Sequence, residues 1–208
     1  ACVHAVTMTG EMADLFSSRD DGVREIVHTI QALLPGQRIL VYAGKQGFIP
    51  AEAIKPENYP AVASANWLAS AGWAAQKLQN GLFIDIGSTT TDILLFRDGA
   101  VCPQGYNDYD RLKSNTLVYT GIIRTPVMAI AQSVCDQGSE VGLMAEYFAT
   151  MADVYRVTGE LDERHDLCEA ADGGAKSIAG SARRLARMIG CDCYEHELKR
   201  WQDFAEAI

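Results

Sequence analysis

Long apolar runs are missing from this chain. No stretch of about 18 apolar residues occurs, so no segment reads as a membrane-spanning helix. Positive charge is scarce: 18 Lys and Arg stand against 27 Asp and Glu, a formal net charge of −9. That balance argues against a nucleic-acid partner and against an anionic membrane surface, because both select a surplus of Lys and Arg. The opening ACVHAVTMTGEMADLF has no basic n-region, no long apolar h-region and no initiator methionine, so it does not read as a secretory leader. The six cysteines (Cys2, Cys102, Cys135, Cys168, Cys191 and Cys193) are scattered and read as reduced thiols of a cytoplasmic protein rather than a disulfide framework. Cys191, Cys193 and His196 form a C-x-C with a nearby histidine, but a second cysteine pair at ligand spacing is lacking, which favours free thiols over zinc. No Ser–His–Asp or Cys–His constellation can be assembled, and there is no internal repeat or low-complexity tract.

What is present is enough for a core: 208 residues, 48% of them hydrophobic, in one large domain or two small ones. The first 80 residues alternate in an α/β manner. CVHAVTM reads as a strand. DDGVREIVHTIQALLPG reads as a helix capped by Asp20 or Asp21, with Val23, Ile26, Val27, Ile30, Leu33 and Leu34 on one face. RILVYAG is a short strand, GFIPAEAIKPENYP is irregular, and AVASANWLASAGWAAQKLQ is helical with Trp67 and Trp73 expected in the core. Farther on, residues 103–115 look like a polar loop and LMAEYFATMADVYRVTG looks like one helix ended by Gly159. Ser177 is placed to cap IAGSARRLARMIG, and the tail reads as a last helix.

The informative stretch is GLFIDIGSTTTDILLFRDG. Two strands, Leu82 to Ile86 and Thr91 to Phe96, enclose a turn of Gly and hydroxyl residues, and Arg97-Asp98-Gly99 forms an Asp-Gly hairpin turn after them. Asp85 lies inside an apolar run before the turn, and Asp92 opens the run after it. A Gly/Ser/Thr turn offers backbone N–H groups and hydroxyls as a cup for phosphate. Carboxylates repel phosphate unless a hard cation lies between them, and Mg²⁺ is held by one or two carboxylates plus phosphate oxygens. The residue types therefore suit a magnesium–phosphate site. They also suit an ordinary turn in which aspartate caps backbone N–H groups, and the residues alone leave both open.

FIDIGSTTTDILLFRDG resembles the phosphate-binding hairpin of the actin/sugar-kinase/Hsp70 ATPase fold. It is most similar to the hydantoinase/oxoprolinase branch, whose hairpin reads Asp-x-Gly-x-Thr-x-Thr-Asp; Asp85, Gly87, Thr89, Thr91 and Asp92 match it. AVTMTGEMADLFSSRDDGV, SANWLASAGWAA, YTGIIRTPV, LMAEYFATMADVYRVTGEL and ADGGAKSIAGSARRLARMIG together resemble a small family within that branch. Its members are tetrahydromethanopterin-linked one-carbon-transfer pathway proteins, and its archaeal relatives are methanofuran-biosynthesis synthases. The resemblance implies an α/β chain of ribonuclease-H-like lobes: residues 1–80 as the remainder of a first lobe, and 81–208 as a second lobe carrying the hairpin. The first lobe's own phosphate hairpin is missing from this chain.

By the same resemblance the chain is a transferase. It would join an aminomethylfuran diphosphate to a tyramine-derived phenol with loss of diphosphate. Asp85 and Asp92 would hold Mg²⁺; Gly87, Ser88, Thr89, Thr90 and Thr91 would cradle diphosphate oxygens; Arg124 would serve as a second cation for the leaving group. Asp172, Gly173, Gly174, Lys176 and Ser177, in ADGGAKS before a helix N-terminus, would contact nucleotide or diphosphate; a plain Gly-rich loop into a capped helix is the alternative. The expected partner is a small phosphorylated molecule, with ATP as an alternative ligand and a homo-oligomer left open. Two other readings stand beside the synthase: an ATP-dependent kinase or hydantoinase/oxoprolinase-like hydrolase, and a non-catalytic nucleotide- or phosphate-binding subunit.

Overall fold

The computed structural model describes residues 2–208. The chain is mixed α/β and groups into two compact units. The first runs through Asp85 and resumes over Asp92–Val118; the second takes Ile86–Thr91 and Tyr119–Ile208. The sequence reading drew the boundary after residue 80, whereas both strands of the hairpin lie largely with the first unit and only the loop between them with the second. Among the described residues no helix is long and apolar enough to cross a membrane.

In the first unit, β1 (Val3–Val6) pairs in parallel with β2 (Arg38–Tyr42), and β3 (Phe48–Pro50) adds antiparallel to β2. The connection is α1 (Arg19–Leu33), a crossover of the kind that parallel neighbours require. Alternation along β2 buries Ile39 and Val41, which pack with Val23 and Val27 of α1. Each such side chain contributes about 1.5–3 kcal/mol by leaving water. Ser18 rather than Asp20 or Asp21 caps α1, its Oγ accepting from the Asp21 N–H at 3.2 Å. The two aspartates occupy the first turn, where the helix dipole favours negative charge. Leu33, expected on the buried face, is exposed.

Helices α2 (Tyr59–Val62) and α3 (Asn66–Leu78) precede a second sheet: β4 (Gly81–Ile86), β5 (Thr91–Arg97) and β6 (Ala100–Val101). Asp98 and Gly99 both have positive φ in the two-residue turn that pairs Arg97 with Ala100, as a type I′ hairpin requires. One face of this sheet packs Leu94 and Phe83 against Trp67 and Ala71 of α3. Trp73, six residues on from Trp67, falls on the other side of the helix and is exposed, against expectation. The stretch 103–115 holds a helix, α4 (Asp108–Lys113), which Asn107 caps. Strand β7 (Leu117–Val118) then pairs with β5.

The second unit contains the hairpin β8 (Ser133–Asp136) and β9 (Ser139–Gly142), then α5 (Met151–Val157), α6 (Ile178–Arg187) and α7 (Leu198–Glu206). The apolar pattern suggested one helix from residue 143, but α5 begins at Met151. Thr150 and Asp153 form a capping box there. The residues before it are tied outward: Met144 N–H donates to the Met188 carbonyl at 2.8 Å, and Val127 N–H to that of Ala149 at 3.0 Å. The apolar core joins Val154, Val157, Leu185, Met188, Trp201 and Phe204.

Beside that core lies a buried charge cluster. Asp153 Oδ1 accepts from Ser181 Oγ at 2.7 Å and Arg184 Nε at 2.8 Å, and Arg156 bridges Asp153 to Asp166. All five side chains are buried. Removing one member strands the opposite charge in a low-dielectric interior. Asp153→Ala is therefore expected to cost about 3–5 kcal/mol, read as a lowered urea midpoint. Lys199→Ala, which opens the exposed Lys199–Asp203 pair, is expected to leave the midpoint almost unmoved, because water screens that pair. Equal midpoints for the two variants would show that the cluster is not what stabilises this unit.

Candidate functional site

The loop between β4 and β5 is shaped by what its carbonyls do. Gly87 N–H closes the turn onto the Thr90 carbonyl at 2.8 Å. The Gly87 carbonyl accepts from Ile122 N–H at 3.0 Å, and the Ser88 carbonyl accepts from Ile123 N–H at 3.1 Å and Arg124 N–H at 2.8 Å. Thr91 Oγ1 donates to the Thr120 carbonyl at 2.9 Å. Gly121 is the residue that permits this stapling. A Cβ there would lie 2.5 Å from the Ser88 carbonyl carbon and Thr89 N, and 2.6 Å from Gly87 O. With its carbonyls turned toward residues 122–124, the loop has donors left over. Among the described residues, the Ser88 and Thr89 N–H groups have no protein acceptor. The Ser88 and Thr89 hydroxyls stand 3.4 Å apart, with Ser88 exposed.

Arg124 follows directly from the staple. Its backbone is fixed to Ser88, its side chain is exposed, and it has no carboxylate partner among the described residues. It lines a cavity of about 320 Å³ together with Tyr147, Thr150 and Cys168. A larger cavity of about 740 Å³ meets the root of the loop at Ile86, Thr91 and Gly121, with Met151, Tyr155 and Ile208 among its walls. The walls of the larger cavity mix apolar residues with Thr158, Glu160 and Glu206, and Arg124 belongs to the smaller one.

The two acids flanking the loop have different fates. Asp85 is exposed, in a strand whose Leu82, Ile84 and Ile86 are exposed too, so the buried carboxylate anticipated in FIDI is absent. Asp85 makes no ion pair among the described residues. Asp92 is committed: its Oδ1 pairs with the Nη2 of Arg111, a buried residue of α4. Arg111 also donates to the Thr116 carbonyl at 3.1 Å and stacks 4.0 Å above the Trp67 ring. The symmetric pair of free acids expected at the two mouths of the turn is therefore not what the structure holds. Arg111 lay in the stretch read as a polar loop, and its only sequence signal was an Arg within a capped six-residue helix.

In ADGGAKS the polar side chains also find partners within the chain. Asp172 accepts from Gly174 N–H at 2.9 Å and pairs with Arg184 and Arg187 at 2.9 and 3.2 Å. Burial alone would raise its pKa; the Gly174 N–H and the two guanidiniums outweigh this and hold the carboxyl below the ordinary value. Lys176 Nζ donates to the Asp166 and Cys168 carbonyls at 2.6 and 3.1 Å, and Ser177 Oγ caps α6 by accepting from Gly180 N–H at 3.1 Å. Gly173 takes a left-handed φ of 65° in the turn between them. The side chains of Asp172, Lys176 and Ser177 are thus engaged within the chain. No cluster of three or more metal-binding side chains occurs among the described residues, the Cys191–His196 segment included.

The hydantoinase/oxoprolinase family model matches residues 3–208. The chain belongs to that family. Two curated relatives are similar to it. One, from Methanocaldococcus jannaschii, is 33% identical over 90% of this chain and 56% of its own length. The other, from Methanococcus vannielii, is 30% identical over 55% of this chain and 51% of its own. Each bears the name (4-{4-[2-(gamma-L-glutamylamino)ethyl]phenoxymethyl}furan-2-yl)methanamine synthase. The chain thus spans about half the length of these relatives. Among solved structures it is similar to nucleotide-free acetone carboxylase, from work on ATP-dependent acetone carboxylation. The TM-score is 0.51 at 17% identity, covering 90% of this chain and 29% of that one. At that identity the likeness concerns fold alone, and it agrees with an ATPase-like α/β architecture for this hydantoinase/oxoprolinase chain.

Because Gly121 admits no Cβ, Gly121→Ala is expected to push the 87–89 loop off its staple. Amide exchange at Ile122, Ile123 and Arg124 should quicken about tenfold, equivalent to roughly 1.4 kcal/mol of local stability. Exchange at Ile39 and Val41 should stay as it was. Unaltered exchange at 122–124 would mean that the loop is held by something else.

Proposed function

We propose that this chain contributes the diphosphate-binding part of a transferase of the methanofuran-synthase type. The carrying observation is the loop at Ser88 and Thr89, whose carbonyls are engaged by residues 122–124 and whose N–H groups have no protein acceptor. The names of the relatives describe a product in which a phenol oxygen is bonded to a furan-bearing methylene. An aminomethylfuran diphosphate and a tyramine-derived phenol are reactants that give such an ether. The carbon–oxygen bond to diphosphate breaks with its electron pair leaving on diphosphate; the phenol oxygen bonds to the freed methylene and loses its proton. The furan ring stabilises positive charge at that methylene, so the protein's task is to hold the leaving group and align the phenol.

In this reading the Ser88 and Thr89 N–H groups and the Ser88, Thr89 and Thr90 hydroxyls bind diphosphate oxygens, with Gly87 closing the turn. Thr91, whose hydroxyl is bonded to Thr120, positions the loop. Arg124 neutralises charge building on the leaving group. Asp85, exposed and unpaired, fits a hydrated magnesium ion, whereas Asp92 is already neutralised by Arg111. When bound, magnesium supplies further charge neutralisation to the diphosphate. The cavity of about 740 Å³ at the root of the loop receives the organic portion.

Calorimetric titration with diphosphate and with ATP, each with Mg²⁺, tests this. Saturable diphosphate binding without ATP binding is expected. Arg124→Met should weaken it by about 10–100-fold, the loss of one charge-assisted hydrogen bond of roughly 1.5–3 kcal/mol. Asp85→Asn should remove its magnesium dependence. ATP binding coupled to hydrolysis would replace this reading with the kinase or hydrolase one, and binding of neither ligand would favour a non-catalytic subunit.

A further inference from the structure

The loop that leaves the carboxyl end of β2 bounds a cavity within the first unit. Strands β1 and β2 are parallel, and in parallel sheets ligands seat outside the carboxyl ends of the strands. After β2 the chain runs through Ala43 and Gly44, where φ is 52°, to Lys45 and Gln46. These residues, with Pro60, Leu68, Trp67 and Tyr106, line a cavity of about 370 Å³. That volume lies near the lower end of the ~300–1,000 Å³ common for small-molecule sites, so it fits one ring and a short arm.

Its chemistry is specific in two ways. The walls are largely apolar and include two aromatic rings, Trp67 and Tyr106. The one cationic side chain among the lining residues is Lys45, whose Nζ stands 3.9 Å from the centre of the Tyr106 ring. Lys45 has no carboxylate partner among the described residues. Neighbouring acids do not supply one: Asp108 is paired with Arg19 at 2.6 Å, Glu11 is bound by Ser64 at 2.7 Å, and neither lines the cavity. Trp67 is buried, and its Nε1–H has no acceptor. Asn107 is occupied elsewhere, its side chain bonded to Asp110.

We propose that this cavity is a small-molecule site for a planar aromatic monocarboxylate, its ring against Tyr106 and Trp67 and its carboxylate on Lys45. A single ammonium suits a single negative charge. A phosphate dianion seeks several convergent charged donors, and Lys45 is the one cation among the lining residues. The proposal stands apart from the diphosphate reading, because it uses other residues in the other unit.

Benzoate serves as the probe, with benzyl alcohol and inorganic phosphate as comparisons, followed by Trp fluorescence and calorimetry on the purified chain. Saturable benzoate binding is expected, at least about tenfold tighter than benzyl alcohol, with no saturable phosphate binding. Tenfold corresponds to about 1.4 kcal/mol. Lys45→Met and Tyr106→Leu should each weaken benzoate about tenfold or more, while Lys45→Arg retains it and circular dichroism shows all three folded. Benzoate that fails to saturate, benzyl alcohol that binds equally well, or a Lys45→Met protein that binds as the parent does would overturn the proposal. Diphosphate binding is measured on the same samples. If it persists when benzoate binding is lost, the fault lies with this site and not with the loop.

Discussion

Two carbonyl groups decide what the β4–β5 loop can do. A four-residue turn of Gly, Ser and Thr has as many backbone acceptors as donors, and left to itself it attracts no anion. Here the Gly87 and Ser88 carbonyls accept from the amides of Ile122, Ile123 and Arg124, so the negative ends of those peptide dipoles face residues 122–124. The donors remain. Gly121 makes the approach sterically feasible, and the Arg124 backbone is fixed to the same loop. The exposed donor array of this loop is thus a property of two segments some thirty residues apart, and neither holds it alone.

Charge elsewhere is handled by pairing rather than exposure. Arg111 satisfies Asp92, and Asp153, Arg156, Asp166 and Arg184 satisfy one another in the interior. Buried ion pairs of this kind add little net stability but are costly to break. They work as constraints: they hold α5 against α6 and fix the 166–177 segment, where Lys176 and Asp172 tie the chain to its own carbonyls and guanidiniums. Arg124 and Lys45 lack a carboxylate partner among the described residues, and each lines a cavity.

The limits of sequence reading follow from the same physics. The hairpin, the Asp98-Gly99 turn, the Ser177 cap and the helix of residues 19–33 were legible because each depends on residues close in the chain. The helix expected from residue 143 was not there. Its apolar spacing was helical, but Thr150 and Asp153 start the helix later, and long-range backbone bonds draw out the residues before it. Trp73 was misjudged because a small-residue helix has apolar side chains all round, and only packing decides which face is covered. Asp92 and the ADGGAKS residues were read by type, and type cannot tell a ligand from a group already paired with a distant arginine.

By itself the sequence determined membership in the hydantoinase/oxoprolinase family, the α/β class and the hairpin with its hydroxyl loop, because motif spacing, strand alternation and turn chemistry act over a few residues. The tertiary structure alone decided which of those polar groups remain free. Whether an aspartate, lysine or carbonyl can meet a ligand depends on what the rest of the chain brings within about 3 Å of it, and hydrogen bonds do not follow sequence distance.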